Sequence, residues 1–469
     1  VVDRELLFRS GDRFDPEALR QTERNLRALG LFRRVEVQAL APRDGKVAIE
    51  VRVYDAWSLT TGTSFHHEGG FSTYGAQFRE KNVAGLGAAV SMRYASGFER
   101  REINWSFADP RLFGSRERVG VSFSNRTDGE AKELSFSRPF YTLSSASAHE
   151  ATWRSAREAY RTYEDGRVLH EYRLRATDAM LAWTGRAGPA RQGRVWRIAA
   201  GYRFTARDYS PESGADAGAR LGMPTSYRRG GPYVGIQFLR HRYETRADII
   251  APDRAVDFNL GLNVNAGLFL SSPLTGPHTD NRVVATLSIE RGWHLPGGGL
   301  VLASAQAGSE RGGGIPARGD LTATARLWVP HSKTHVTAVL CEGRALLNAE
   351  RGALLYLGGT PGLRGYRENQ FAGTRSLLVI IEERRFLDWR PAGLVQPGVA
   401  AFAEIGALAG GLPAGRAHAV HSDVGVGLRL VKLKASGADV IKIDLAIPIG
   451  NGWRGGRAAQ VVIGFRREL

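Results

Sequence analysis

From Trp57 onward, apolar and polar residues alternate with a period of two. The runs recur at spacings of ~20 residues and are separated by Gly, Pro, Asp and Asn, the pattern of successive hairpins. The clearest run is 258–270. Phe258, Leu260, Leu262, Val264, Ala266, Leu268 and Leu270 share one face; Asn259, Gly261, Asn263, Asn265 and Gly267 share the other. Val424, Val426, Leu428 and Leu430 alternate with Gly425, Gly427 and Arg429. Ile441, Ile443, Leu445 and Ile447 alternate with Lys442, Asp444 and Ala446, and Val461, Ile463 and Phe465 with Val462, Gly464 and Arg466.

The first 54 residues follow a different rule. Asp15 fits an N-cap and Pro16 the first turn of a helix ending at Gly30, with Leu19, Leu26 and Leu29 on one face. Strands around Val35–Val37 and Val47–Val53 follow, joined through Pro42, Asp44 and Gly45. A short helical turn is expected near Glu5–Arg9. The unit reads as cut at its N-terminal edge. No charged-then-apolar leader follows Val1, so any signal peptide is expected to be already removed.

Period two with one polar face requires either a second sheet packed on the apolar face or a wall facing lipid. A sandwich rarely uses strands thirteen residues long, and residues 55–469 offer no helix to cover a sheet. A closed barrel removes the unpaired edges, and in lipid it is the only sheet permitted. The reading is a transmembrane β-barrel. Trp57, Trp105, Trp153, Trp183, Trp196, Trp293 and Trp328 lie towards strand ends and are expected in interfacial girdles.

Composition then narrows the chemistry. Lys+Arg 64 against Asp+Glu 47 gives +17, and only seven of the 64 are Lys. The Arg pairs 100–101, 228–229, 384–385 and 466–467 are short and dispersed, so the charge suits a lumen and rims better than nucleic acid. Rim arginines could meet lipopolysaccharide phosphates. One cysteine, Cys341, excludes an intramolecular disulfide framework. No nucleophile elbow, HExxH or phosphate-binding P-loop occurs. His66-His67 and His149-Glu150 lack a third ligand at metal spacing, and the glycine triplets 297–299 and 312–314 read as hairpin turns. No catalytic residue, cofactor or metal is expected.

One segment is not hairpin. Residues 349–373 carry Leu357-Gly358-Gly359-Thr360-Pro361-Gly362-Leu363-Arg364-Gly365-Tyr366 and then Asn369-Gln370-Phe371-Ala372-Gly373. A loop this long is usually functional or disordered, and its Leu, Tyr and Phe argue for packing against the lumen wall. A guanidinium there needs carboxylates, which the following strands supply as Glu382 or Glu383 and Glu404.

This motif resembles the sixth extracellular loop of the BamA/TamA superfamily of outer-membrane assembly proteins. Residues 82–87, 109–114 and 138–140 are similar to that family's early barrel strands and turns, 425–430 and the two strands after it to its closing strands, and 1–54 to part of a POTRA domain. The resemblance implies a mainly β protein: an antiparallel barrel over 55–469 with loop 349–373 folded inward, preceded by a small α+β POTRA domain. Sixteen strands are expected. The pattern itself gives five after the loop but nearer fifteen than eleven before it, which keeps up to twenty open. Arg364, within a loop motif that includes Gly358, Gly359, Leu363, Gly365 and Tyr366, is expected to pair with Glu404 and with Glu383 or Glu382. The following Arg-Arg-Phe favours Glu383. The seam joins a first strand with Trp57 and Phe65 to a last one with Val461, Ile463 and Phe465.

The function implied is insertion or translocation of unfolded outer-membrane or secreted clients, without enzymatic activity, in the bacterial outer membrane with the POTRA in the periplasm. Partners implied are those clients, outer-membrane lipid and lipopolysaccharide, and periplasmic accessory proteins. The alternatives are a two-partner-secretion-type translocator, or the barrel carrier of an upstream passenger or enzyme domain. The chain departs from the family in ending Phe465-Arg466-Arg467-Glu468-Leu469 rather than on an aromatic, and in carrying one incomplete POTRA unit.

Overall fold

The alternating runs become strands of one closed antiparallel sheet in the computed structural model. The structure describes all residues except 56, 143–144, 192, 212–222, 247–248, 250–251, 253–255, 276–278, 351, 360–361, 411–417, 434–438, 450–458 and 468–469; of 33, 315, 418, 439 and 464–467 only the backbone is described. The barrel has twenty strands, numbered β1–β20 in chain order, and each pairs with its neighbours in sequence. It opens with β1 (Leu59–Glu68) and β2 (Phe71–Val83). The strands that build the site are β7 (Ser147–Glu164), β14 (Ile315–Ser332), β15 (His335–Leu347), β16 (Arg375–Phe386), β17 (Val395–Ala409), β18 (His418–Lys432), β19 (Asp439–Ile449) and β20 (Gln460–Arg467).

The expectation of sixteen strands is corrected to twenty, fifteen before the loop and five after it. This division agrees with the alternating pattern, which gives five strands after the loop and nearer fifteen than eleven before it, and not with the sixteen that the resemblance implies. The run 258–270 also differs. It splits into a short ribbon strand, Val256–Asn259 paired with Tyr243–Arg246, and a barrel strand, Asn263–Ser271. Gly261 lies at the break, where a Cβ would come 1.5 Å from the Arg240 carbonyl oxygen. Phe258 and Leu260 turn inward there, against Leu300, Trp328 and Val336. Trp328 is therefore buried in that cluster rather than in a girdle, while Trp57, Trp105, Trp153, Trp183, Trp196 and Trp293 are exposed.

Alternation sorts the wall. On β17, Gln396, Ala400, Phe402, Glu404 and Leu408 are buried towards the lumen, while Val399 and Ile405 are exposed. Val424, Val426, Leu428, Ile443, Leu445 and Ile447 continue this exposed apolar face. Such a belt on a closed barrel is the outer surface of an outer-membrane-type protein. Among the described residues no helix is long and apolar enough to cross a membrane.

Residues 1–55 form a helix, Pro16–Ala28, beside a hairpin of Phe32–Ala39 and Ile49–Asp55. The Asp15 side chain accepts from the Glu17 amide at 2.9 Å, the N-cap the sequence proposes. The short turn ahead of the helix is Val2–Arg4, earlier than the expected Glu5–Arg9. The unit closes on one end of the barrel: buried Glu5 pairs with Arg111, whose guanidinium also donates to the Tyr141 hydroxyl at 2.6 Å.

Candidate functional site

At the opposite end, residues 348–374 leave β15, fold into the lumen and return to β16. A short ladder, Leu355–Leu357 with Phe371–Gly373, makes the loop a compact tongue. Gly358 and Gly359 let its two arms cross: a Cβ on either would come 2.3 Å from Arg367 or Glu368 atoms. Thr360 and Pro361 of the motif lie outside the described residues. Leu363 has φ 75, a left-handed conformation that a branched side chain adopts only when its surroundings enforce it. Its fully buried side chain packs with Leu357, Tyr366, Leu378, Ile380 and Leu408.

That strained corner aims Arg364 at the wall. Its amide and Nε donate to Glu404 at 2.7 Å each, Nη1 to Asp444 at 2.6 Å and Nη2 to Glu382 at 3.1 Å. The guanidinium carbon lies 3.6 Å from the centre of the Phe402 ring, a cation–π contact. Burial acts to lower the Arg364 pKa, but Glu404, Glu382 and Asp444 outweigh it and hold the group above the ordinary arginine value. The carboxylates have further partners: Glu382 accepts from Arg384 at 2.8 Å and Arg429 at 2.9 Å, and Arg429 also meets Asp444. Gly365 donates to Asp423 at 3.0 Å, and the Tyr366 hydroxyl to the Ser422 carbonyl at 3.0 Å. Phe371 stacks on His421 with centroids 3.6 Å apart.

Glycine on both the tongue and the wall makes the room. A Cβ at Gly365 would lie 2.8 Å from Asp423 Cβ, and one at Gly427 would lie 1.8 Å from Asp444 Oδ1. The network thus needs side chains on some strands and their absence on others.

The expected preference for Glu383 is corrected by the register. Leu378, Ile380, Glu382, Arg384 and Phe386 are the lumen face of β16, so Glu383 points outward, to His335 and Thr337. Sequence reasoning placed Arg364 with Glu404 and, as the lesser choice, Glu382. It missed Asp444, Asp423, Phe402, Arg384 and Arg429. Asp444 was legible as a polar inward position on the penultimate strand, since alternation sets it opposite Ile443 and Leu445.

The tongue also crosses the lumen. The Tyr163 amide of β7 donates to the Tyr356 hydroxyl at 3.0 Å, and the Tyr160 hydroxyl to the Gly352 carbonyl at 2.8 Å. The Glu368 amide donates 3.2 Å to the carbonyl of Gly69, in the β1–β2 turn. Gly69 must be bare, because a Cβ would come 2.4 Å from the Glu368 nitrogen. A cavity of about 280 Å³ opens there, lined by Gly69, Phe71, Arg367, Glu368 and Gln460 among others. The loop therefore bonds the β1 side of the barrel's closure and shares a cavity with Gln460 of β20.

The closure has fewer described ladder positions than the pairs beside it. β1 pairs with β2 at ten positions and β20 with β19 at eight, but among the described residues β20 meets β1 at one, Ile463 opposite His67. Val461 and Phe65 are exposed beside it, and Trp57 precedes β1 and is almost fully exposed. The Phe465 side chain lies outside the described residues, although its backbone pairs with Ile441.

No family model and no curated protein matches this chain in sequence. In structure it is similar to CdiB from Escherichia coli, with a TM-score of 0.52 and 11% identity over 99% of this chain and 73% of that one. BamA from Haemophilus ducreyi lacking POTRA domains 1–3 gives 0.48 and 12% over 99% and 81%. CdiB from Acinetobacter baumannii gives 0.46 and 11% over 98% and 70%. At such identity the likeness to the first of these speaks for the fold alone: a large closed β-barrel.

Proposed function

We propose that this protein passes other polypeptides into or across the bacterial outer membrane, using the seam between β1 and β20 as its working edge. The observation that carries this reading is the seam itself, which among the described residues is held at one ladder position while the adjoining pairs have eight and ten. A strand edge with free amides and carbonyls accepts an extended segment by β-augmentation. The client would be an unfolded outer-membrane protein, whose strands can pair there before leaving for lipid. The Arg364 network has a supporting role. It fixes the tongue to β16–β19, and the Gly69 contact lets the tongue hold the β1 side as well.

Residues 1–55 are read as a POTRA-type domain on the periplasmic side, with its hairpin edges offered to clients or accessory proteins. Loop 348–374 is then on the outer side, where rim arginines can meet lipopolysaccharide.

A second reading, two-partner-secretion-type translocation through the lumen, is favoured by one observation. The tongue fills part of the lumen of a twenty-strand barrel, and barrels of comparable size enclose either an aqueous channel or a plugged lumen. If the tongue withdraws, a chain can pass. Comparing outer-membrane and secreted proteomes with and without the protein separates the readings. Depletion of other barrels supports insertion; loss of one secreted protein with the barrel inventory intact supports translocation and sinks the insertase reading.

A further inference from the structure

The sequence has a second histidine pair, His331 and His335, spaced four apart across the tight turn from β14 to β15. Antiparallel pairing across that turn brings the imidazoles together, with ring centres 4.6 Å apart. The next strand adds a carboxylate. Glu383 of β16 stands opposite Thr337 of β15, and its side chain meets His335 on the outer wall. One ligand atom from each of His331, His335 and Glu383 lies within 4.8 Å of the others. Thr337 ties the group from behind: its hydroxyl donates to Glu383 at 2.5 Å and lies 2.7 Å from His331 Nε2.

We propose that His331, His335 and Glu383 form a binding site for a first-row transition ion, zinc above all, on the outer wall at the end of the barrel where the N-terminal unit packs. Two imidazoles and one carboxylate are the nitrogen–oxygen set that zinc takes, with a fourth position left to water or a lipid oxygen. Calcium and magnesium prefer all-oxygen sites and fit poorly. The placement suits exchange with solvent. Ile381, the next outward position along β16, belongs to the exposed apolar belt, whereas His331 is exposed beside the turn. The ion would join β14, β15 and β16 on the face opposite the lock, because Glu383 is the outward neighbour of Glu382.

The test is zinc binding to the whole protein in detergent, read by isothermal calorimetry and by competition with a chromogenic chelator. One equivalent of zinc is expected, unaffected by excess magnesium. His335→Ala and Glu383→Gln should each abolish the stoichiometric binding, while His149→Ala, which removes an unrelated histidine, leaves it. Thr337→Val should keep the stoichiometry but weaken affinity about 10–100-fold, as loss of an orienting hydrogen bond does. Heat-modifiable gel mobility verifies that each variant is a folded barrel, and X-ray absorption should report two nitrogen-type ligands of imidazole character. Binding that survives His335→Ala, or no binding by the folded wild type, overturns the site.

Discussion

The wall from β16 to β19 and the seam from β20 to β1 belong to one sheet, yet they are built on opposite principles. On the wall, fifteen ladder positions join β17 to β18, and the lumen face carries Arg384 and Arg429 among Glu382, Glu404, Asp423 and Asp444, with Arg364 added from the tongue. At the seam, Ile463 opposite His67 is the single described ladder position. A buried ion network is a poor source of net stability, because desolvation offsets much of the attraction. Its value is positional: few other arrangements of the tongue satisfy so many charges. The difference teaches that the charged network lies beside the least-paired described junction of the barrel, and that the tongue, bound to the wall through Arg364 and to the β1–β2 turn through Glu368, spans the two.

The comparison breaks most severely at Arg364. Arg364→Ala leaves three buried carboxylates without their shared cation, at a cost of about 3–5 kcal/mol. The expected result is a lower unfolding temperature by heat-modifiable mobility and protease access to 348–374. Exchanging Arg364 and Glu404 is expected to restore little, since a carboxylate at 364 would still face Glu382 and Asp444. Rescue to wild-type stability would show that Glu404 is the sole partner that counts.

Glu382→Gln comes next. It removes the charge shared by Arg364, Arg384 and Arg429 and should cost about 1.5–3 kcal/mol, measured by the same assay. Gly427→Ala forces Asp444 from its position and should cost about 1–3 kcal/mol through overpacking. Glu383→Gln, on the outer face one residue away, should change barrel stability by less than about 0.5 kcal/mol in a metal-free buffer. Equal losses for Glu382→Gln and Glu383→Gln would contradict the register on which the site rests.

Much of this was legible in the chain. Alternation marks nearly every barrel strand, because a lipid-facing wall leaves each strand one apolar face and permits no slip. The five strands after the loop were readable within a few residues. The alternation gives fifteen and five strands around the loop, whereas the family resemblance implies sixteen in all. The 258–270 run misled for a local reason: Phe258 and Leu260 continue the alternation in sequence, but the chain turns at Gly261 and buries them in the lumen. Trp328 misled similarly, since an aromatic near a strand end faces either side of the wall. Arg364 was legible because a lone cation in an apolar loop must find anions. Which anions it finds depends on strand register, so Asp444, 80 residues away, could be identified only by sorting the inward positions.

The central claim is that the seam parts, and a disulfide tests it most directly. With Cys341 replaced by Ser, His67→Cys and Ile463→Cys would set two thiols at the bridging position described between β20 and β1. The measurement is the level of client proteins in the outer membrane or medium, with the cross-link formed and then reduced. The account predicts that the oxidised barrel folds, holds its Arg364 network and loses client handling, and that reductant restores it. Full client handling by a quantitatively cross-linked barrel would contradict it.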